Sequence, residues 1–148
     1  MGKTAALLME RAIEHRTLGH LADAAADLEA AYAMDPKLVE ARKELALVQL
    51  ADGKTELALR TINKACANGS SPDFLMARAE IQVARKDYGA ALQDCEASFR
   101  EPTDNVEWYL LRAQLQRRAG KFAECLAGLR DGFTKTGSAV LEEEIVDA

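Results

Sequence analysis

Apolar residues recur along this chain at three- and four-residue intervals, in runs of about 13 residues broken by short polar turns, which is the period of amphipathic α-helices and not of strands. The pattern also repeats on a longer scale. LLMERA at 7–12 returns as FLMARA at 74–79 and WYLLRA at 108–113. Shifts of 34, 33 and 34 residues align Ala12, Ala46, Ala79 and Ala113. Twelve residues after each stands a second small residue: Ala24, Ala58, Ala91 and Cys125. Seven further on stands a third: Ala31, Ala65, Ser98 and Gly132. Four after the second comes a mostly larger apolar residue: Leu28, Ile62, Cys95 and Leu129. The turns between the halves read LGHL, DGKT, RKDY and AGKF, three of them with a glycine that tolerates positive φ.

Each unit is therefore predicted to be two antiparallel helices joined by a tight turn. Small residues at fixed offsets let the two backbones approach, and larger neighbours fill the space between units. A single helix pair cannot bury its apolar face, so the units must stack.

This frame resembles the tetratricopeptide repeat, a 34-residue helix-turn-helix unit with the motif W-x2-L-G-x2-Y…A-x3-F…P. The first unit reads Leu8-x2-Arg11-Ala12-x2-His15, then Ala24-x3-Leu28, then Pro36. The chain departs from the motif at three places, one of them the closing proline, which is in register only in the first unit. Arg11, Arg78 and Arg112 replace the family leucine, which survives only as Leu45, and the tyrosine slot holds His15, Gln49, Gln82 and Gln116. The resemblance implies an all-α fold: a right-handed superhelical α-solenoid of four units, at 5–38, 39–71, 72–105 and 106–136, within a single domain over 1–148. Residues 137–148, GSAVLEEEIVDA, predict a short C-terminal helix after Gly137, capped by Ser138. Val140, Leu141, Ile145 and Val146 would cover the last unit, either as a capping helix or as the truncated start of a fifth repeat.

In this family the first helix of each unit lines a concave face that takes a peptide or a segment of a partner protein. The resemblance thus implies a protein-interaction module whose groove is formed by Met9, Ile13, Arg16, Lys43, Leu47, Leu50, Met76, Glu80, Val83, Leu110, Gln114 and Arg117, with Glu40, Asp73 and Glu107 at its margins. The mixture is apolar in the middle and charged at the edges, which suits an amphipathic segment. One family subclass grips the C-terminal carboxylate of chaperones with Lys, Asn and Arg. The corresponding positions here carry Met9, Ile13, Glu44, Asp73 and Ala77, so no such binding is expected. The alternative is a self-associating scaffold or a module of a longer protein, with a homodimer through a terminal repeat or the groove.

The recurring arginine has its own expected role. Asp27 follows Arg11 by sixteen residues, and Asp94 follows Arg78 by the same number. The second unit lacks both charges together, with Leu45 followed by Thr61. Paired presence and absence predicts an Arg–Asp bridge between the two helices of a unit. Arg112 faces Gly128 and is expected to reach back to Asp94.

Composition narrows the remaining classes. Net charge is −5 and the pI is about 5.1, with no basic block, so neither nucleic acid nor an anionic membrane is an expected partner. No apolar run is long enough to span a bilayer, and Ala5–Met9 is too short for a signal-peptide core, so a cytoplasmic location is expected. Cys66, Cys95 and Cys125 are too far apart for a CxxC pair or a zinc cluster and read as small buried residues. Gly2-Lys3-Thr4 and Gly53-Lys54-Thr55 lack the upstream glycine of a phosphate loop. Asn68-Gly69-Ser70 reads as a turn between units. His15 and His20 are five apart with no third ligand at a recurring distance, and Glu142-Glu143-Glu144 is a solvated helix face. No catalytic constellation, cofactor motif or metal site emerges, and an enzyme is not expected.

Overall fold

The computed structural model describes residues 4–67 and 71–147. Among these the chain forms α1 Ala5–Thr17, α2 Leu21–Met34, α3 Val39–Ala51, α4 Thr55–Cys66, α5 Pro72–Ala84, α6 Tyr88–Ser98, α7 Val106–Arg118, α8 Phe122–Thr136 and α9 Ala139–Asp147, with no strand. Gly2, Lys3 and the turn expected at Asn68-Gly69-Ser70 lie outside the described residues.

Consecutive helices pack as antiparallel hairpins: α1 on α2, α3 on α4, α5 on α6, α7 on α8. Each second helix then packs on the first helix of the next pair. Along one side α1 also touches α3, and α3 touches α5. The first helices therefore crowd together on an inner wall, and the second helices splay apart outside it. Crowding of this kind requires small side chains at the crossings. Ala12, Ala24, Ala46, Ala58, Ala79, Ala91, Ala113 and Cys125 all stand at the aligned positions and all are buried.

The turns inside the hairpins share one geometry. At the end of α1, His20 N–H donates to the His15 carbonyl and Gly19 N–H to that of Arg16. The same double bond pattern recurs at Lys54 and Gly53, at Asp87 and Lys86, and at Lys121 and Gly120. This is the Schellman closure, which places one residue in the left-handed region. Gly19, Gly53 and Gly120 occupy it, and in the third unit Lys86 does so at φ 64°. A side chain there costs roughly 1–2 kcal/mol. Lys86→Gly is therefore expected to stabilise the chain by about 0.5–1 kcal/mol after the entropy of the new glycine is counted. Urea unfolding checks this, and an unchanged or lowered midpoint would contradict it.

Gly137 ends α8 at φ 66°, with its N–H on the Phe133 carbonyl. The helix beyond it is only partly docked. Leu141 is buried and Ile145 packs against the core formed by Tyr109, Ala113, Cys125 and Leu129, but Val140 and Val146 face solvent. The expectation that all four apolar residues cover the last unit holds for two. The reason is that α9 packs on α8 and α7 from one side, so only one stripe of it can be covered.

Candidate functional site

The inner wall runs across α1, α3, α5 and α7. Four positions repeat along it, and their contacts cross from one unit to the next. Four residues after the first small residue of each unit stand Arg16, Leu50, Val83 and Arg117. Arg16 pairs with Glu44 of α3 at 2.8 Å, and Arg117 reaches Glu144 of α9 at 3.4 Å. Between these ends the seam is apolar. Leu50 packs on the core that includes Ala77, and Val83 on the core that Leu111 also borders. The wall is thus greasy in its centre and closed by an ion pair at each end. Glu44 and Glu144 contribute to it, although sequence periodicity does not single them out as partners.

At the centre lies a cavity of about 170 Å³ lined by Lys43, Leu47, Asp73, Met76, Glu80 and Trp108, together with Ala77 and Asn105. Lys43, Leu47, Met76 and Glu80 are brought together here from the expected groove set. Met76 is only 2 % exposed, because Ala79, Ala91, Cys95 and Leu115 close around it. It forms floor and not contact surface, which corrects the expectation for that residue. Leu47 stays half-buried and accessible. Met9, Ile13 and Arg16 lie at the α1 end of the wall. Leu110, Gln114 and Arg117 lie at the α7 end, where Leu110 leans into the core and Gln114 is exposed. Trp108 and Asn105 are the residues that sequence reasoning missed. Trp108 stands five before Ala113, where the second and third units hold the core residues Ala41 and Phe74, so the frame marks it as packing.

Charge in the cavity is mixed by design of the three helices. Lys43 pairs with Glu40 at 3.1 Å and lies 5.8 Å from the Phe74 ring centroid. Glu80 has solvent-accessible surface, yet the concave wall crowds it with protein atoms. That desolvation raises its carboxyl above the usual range, partly offset by the cations of Arg16 and Lys43.

The arginines lie behind this wall. Arg11 Nε and Nη2 donate to Asp27 Oδ2 and Oδ1 at 2.7 and 2.6 Å. Arg78 Nε and Nη2 donate to Asp94 at 2.7 and 2.9 Å, and its Nη1 reaches Asn63 of α4 at 3.3 Å. The hydrogen bond to the carboxylate raises both guanidinium pKa values further. In the second unit Thr61 Oγ1 instead donates to Gln49 Oε1 at 2.7 Å. Arg112 does not turn to Asp94, as was expected. Its guanidinium lies over the Phe99 ring at 3.7 Å and near Tyr109 at 5.4 Å. Asp94 is already held at two points by Arg78, and an aromatic face is the better remaining partner.

The other candidate groups resolve as follows. Burial pushes the Cys95 thiol up to about 12, which leaves it protonated and inert at neutral pH. Cys125 is buried with its Sγ on the Ala113 carbonyl at 3.4 Å, whereas Cys66 is only half-buried. His15, His20 and Asp23 converge, with one ligand atom from each within 4.8 Å of the others. Asp23, in the first turn of α2, supplies the third group that spacing alone does not show. Tetrahedral zinc needs donor atoms about 3.4 Å apart, given bonds near 2.0–2.1 Å, so these side chains would have to close in. Lys54 lies in the turn before α4, and Thr55 begins that helix, so the second GKT is not a phosphate loop. Among the described residues no helix is long and apolar enough to cross a membrane.

Stacked helix hairpins with one crowded and one splayed side define a class, the all-α helical-repeat solenoid. Residues 9–73 match the family model of the tetratricopeptide repeat. Comparison with curated protein sequences gives no match. Solved structures similar to it include a tetratricopeptide repeat protein from Parabacteroides merdae, with 19 % identity and a TM-score of 0.78 over 95 % of this chain and 56 % of that one. A thermophilic TPR protein from Thermus thermophilus, TTC0263, is 18 % identical with a TM-score of 0.78 over 97 % of this chain and 80 % of that one. YrrB, described as a TPR protein with an unusual peptide-binding site, is 16 % identical with a TM-score of 0.72 over 88 % of this chain and 68 % of that one. At these identities the likeness is one of fold. The chain spans little more than half the length of the Parabacteroides protein.

Proposed function

We propose that this chain is a protein-interaction module and that its inner wall takes an extended or helical segment of a partner protein, with one apolar side chain seated at Leu47 and Trp108. The central cavity carries this reading. Its volume of about 170 Å³ has room for roughly one aliphatic side chain, by comparison with the space that a buried residue leaves when truncated. It is floored by Met76, walled by Leu47 and Trp108, and rimmed by Lys43, Asp73 and Glu80. A rim with both signs favours a segment whose own charges alternate around the apolar anchor. Met76 is packed among Ala79, Ala91, Cys95 and Leu115 and Trp108 borders the same core, so the cavity is formed before a ligand arrives.

Trp108 is the single tryptophan of the sequence, so its emission reports on the cavity alone. Peptides selected from a random library against the folded chain are expected to shift and brighten that emission on binding. Leu47→Asp should weaken them by about tenfold or more, since it places a charge where an apolar side chain must be buried. Circular dichroism of the variant should be unchanged. Selected peptides that leave Trp108 emission untouched and bind Leu47→Asp equally well would sink the proposal.

A further inference from the structure

The second unit differs from the others on the outer side of the solenoid. In the third unit the Arg78 guanidinium fills the gap between α4, α5 and α6, touching Asn63 in front and Asp94 behind. In the fourth unit Arg112 fills the matching gap, stacked on Phe99 and pressed against Gly128. The equivalents in the second unit are Glu29, Leu45 and Thr61. Leu45 is too short to cross the gap, and Thr61 is held by Gln49. What remains is an open slot of about 380 Å³ between α2, α3 and α4, lined by those same three residues. Its walls are apolar, from Leu45, Leu57 and the ring of Tyr32. A second hollow of about 450 Å³ shares Tyr32, Arg42 and Lys64 with it and continues the slot toward Phe74.

The rim is cationic on an acidic protein. Arg42, Arg60 and Lys64 line the slot against one carboxylate, Glu29. The ion pairs of the described residues engage other cations, such as Arg16, Lys43, Arg78 and Arg85. Arg42 is held only by its stacking on Tyr32 at 4.1 Å, and Arg60 and Lys64 project into solvent. An arginine from another chain would meet three like charges here, so the slot does not simply await the missing guanidinium. The remaining negative charge of the chain is felt weakly across more than a screening length of about 8–10 Å.

We propose that this slot is a second binding site, distinct from the inner wall, for an acidic segment of a partner protein. One apolar side chain enters between Leu45 and Leu57, and flanking carboxylates lie on Arg42, Arg60 and Lys64. Charge complementarity selects this occupant.

The test uses a fluorescently labelled short peptide with one leucine among glutamates, and two controls: leucine replaced by serine, and glutamates replaced by lysines. Fluorescence anisotropy should show saturable binding of the first and at least about tenfold weaker binding of both controls. Leu45→Arg with Thr61→Asp rebuilds the pair found in the first and third units, so the fold is retained while the slot is filled. Arg60→Glu with Lys64→Glu reverses the rim and leaves the cavity open. Each double variant should weaken the peptide by about tenfold or more, and binding should fall steeply with added salt. Equal binding by either variant, or tight binding of the lysine peptide, would overturn the proposal. So would a concentration-dependent dimer in light scattering that Leu45→Arg/Thr61→Asp abolishes, because the occupant would then be a second copy of this chain.

Discussion

Arg78→Ala is expected to lower stability by about 2–3 kcal/mol, the largest effect of any single side-chain deletion on the charged network. Asp94 is the reason. It is 8 % exposed and takes both of its short hydrogen bonds from Arg78. Deleting the guanidinium strands a buried carboxylate. The figure is set below the range for a fully buried pair because a quarter of the Arg78 side chain is still in contact with water. Asp94→Ala should cost less, about 1–2 kcal/mol, since the orphaned Arg78 can turn to solvent and to Asn63. The two losses should not add. Arg78→Leu with Asp94→Thr copies the second unit, where Leu45 and Thr61 occupy these places. The new hydroxyl would donate to Gln82 Oε1, which is buried and lacks a donor, as Thr61 does to Gln49. That double variant should lie within about 1 kcal/mol of the parent chain. A double-mutant cycle by urea unfolding measures the coupling, and additive single effects would show that the pair is not one contact. Arg11→Ala should matter less than Arg78→Ala, because the Arg11 side chain is 43 % exposed.

That pair illustrates what the sequence makes legible. An Arg–Asp offset of sixteen appears twice and vanishes as a pair once, which identifies a contact without coordinates. The small residues are readable for a similar reason: two helix backbones meet only where side chains are small, so Ala12, Ala24 and their equivalents recur at fixed offsets. Contacts between units are harder to read. Arg16 meets Glu44, Arg117 meets Glu144, and Trp108 lines one cavity with Met76 of α5 and Leu47 of α3. These depend on how far each hairpin is rotated on the last, which no single repeat encodes. Met76 shows the consequence. Its place on the first helix predicts an exposed groove residue, but the curvature of the stack closes α7 over it. Arg112 fails the same way. The frame supplies a carboxylate in the preceding unit, whereas the packed molecule supplies a nearer aromatic face.

Two glycines of α8 should respond in opposite ways to the same change. Alanine in a helix interior is ordinarily worth about 1 kcal/mol over glycine. At Gly132 an added Cβ would lie 2.7 Å from Cγ and Cδ1 of the Tyr109 ring and 3.0 Å from Leu141 Cδ1. Tyr109 cannot retreat. It is 2 % exposed, its hydroxyl donates to the Thr103 carbonyl at 2.8 Å, and Phe99 meets its ring edge at 5.0 Å between centroids. Relief must come from α9, the last described helix, which packs only on α7 and α8. Gly132→Ala is therefore expected to destabilise by about 2 kcal/mol and Gly132→Val by about 3 or more, overriding the helix preference. At Gly128 the Cβ would come equally close, 2.8 Å from Arg112 Nη2, but that atom ends a flexible side chain. Gly128→Ala should be nearly neutral, within about 1 kcal/mol, as the propensity gain offsets a shifted Arg112. Thermal unfolding separates the two variants. The cost at Gly132 also has a functional reading. Displacing Leu141 loosens α9 and with it the Glu144 partner of Arg117, which closes one end of the inner wall. Gly132→Ala should thus expose the α8–α9 linker to limited proteolysis while Gly128→Ala does not. Equal stability of the two variants would mean that α9 yields freely, and that the wall ends at α7 without it.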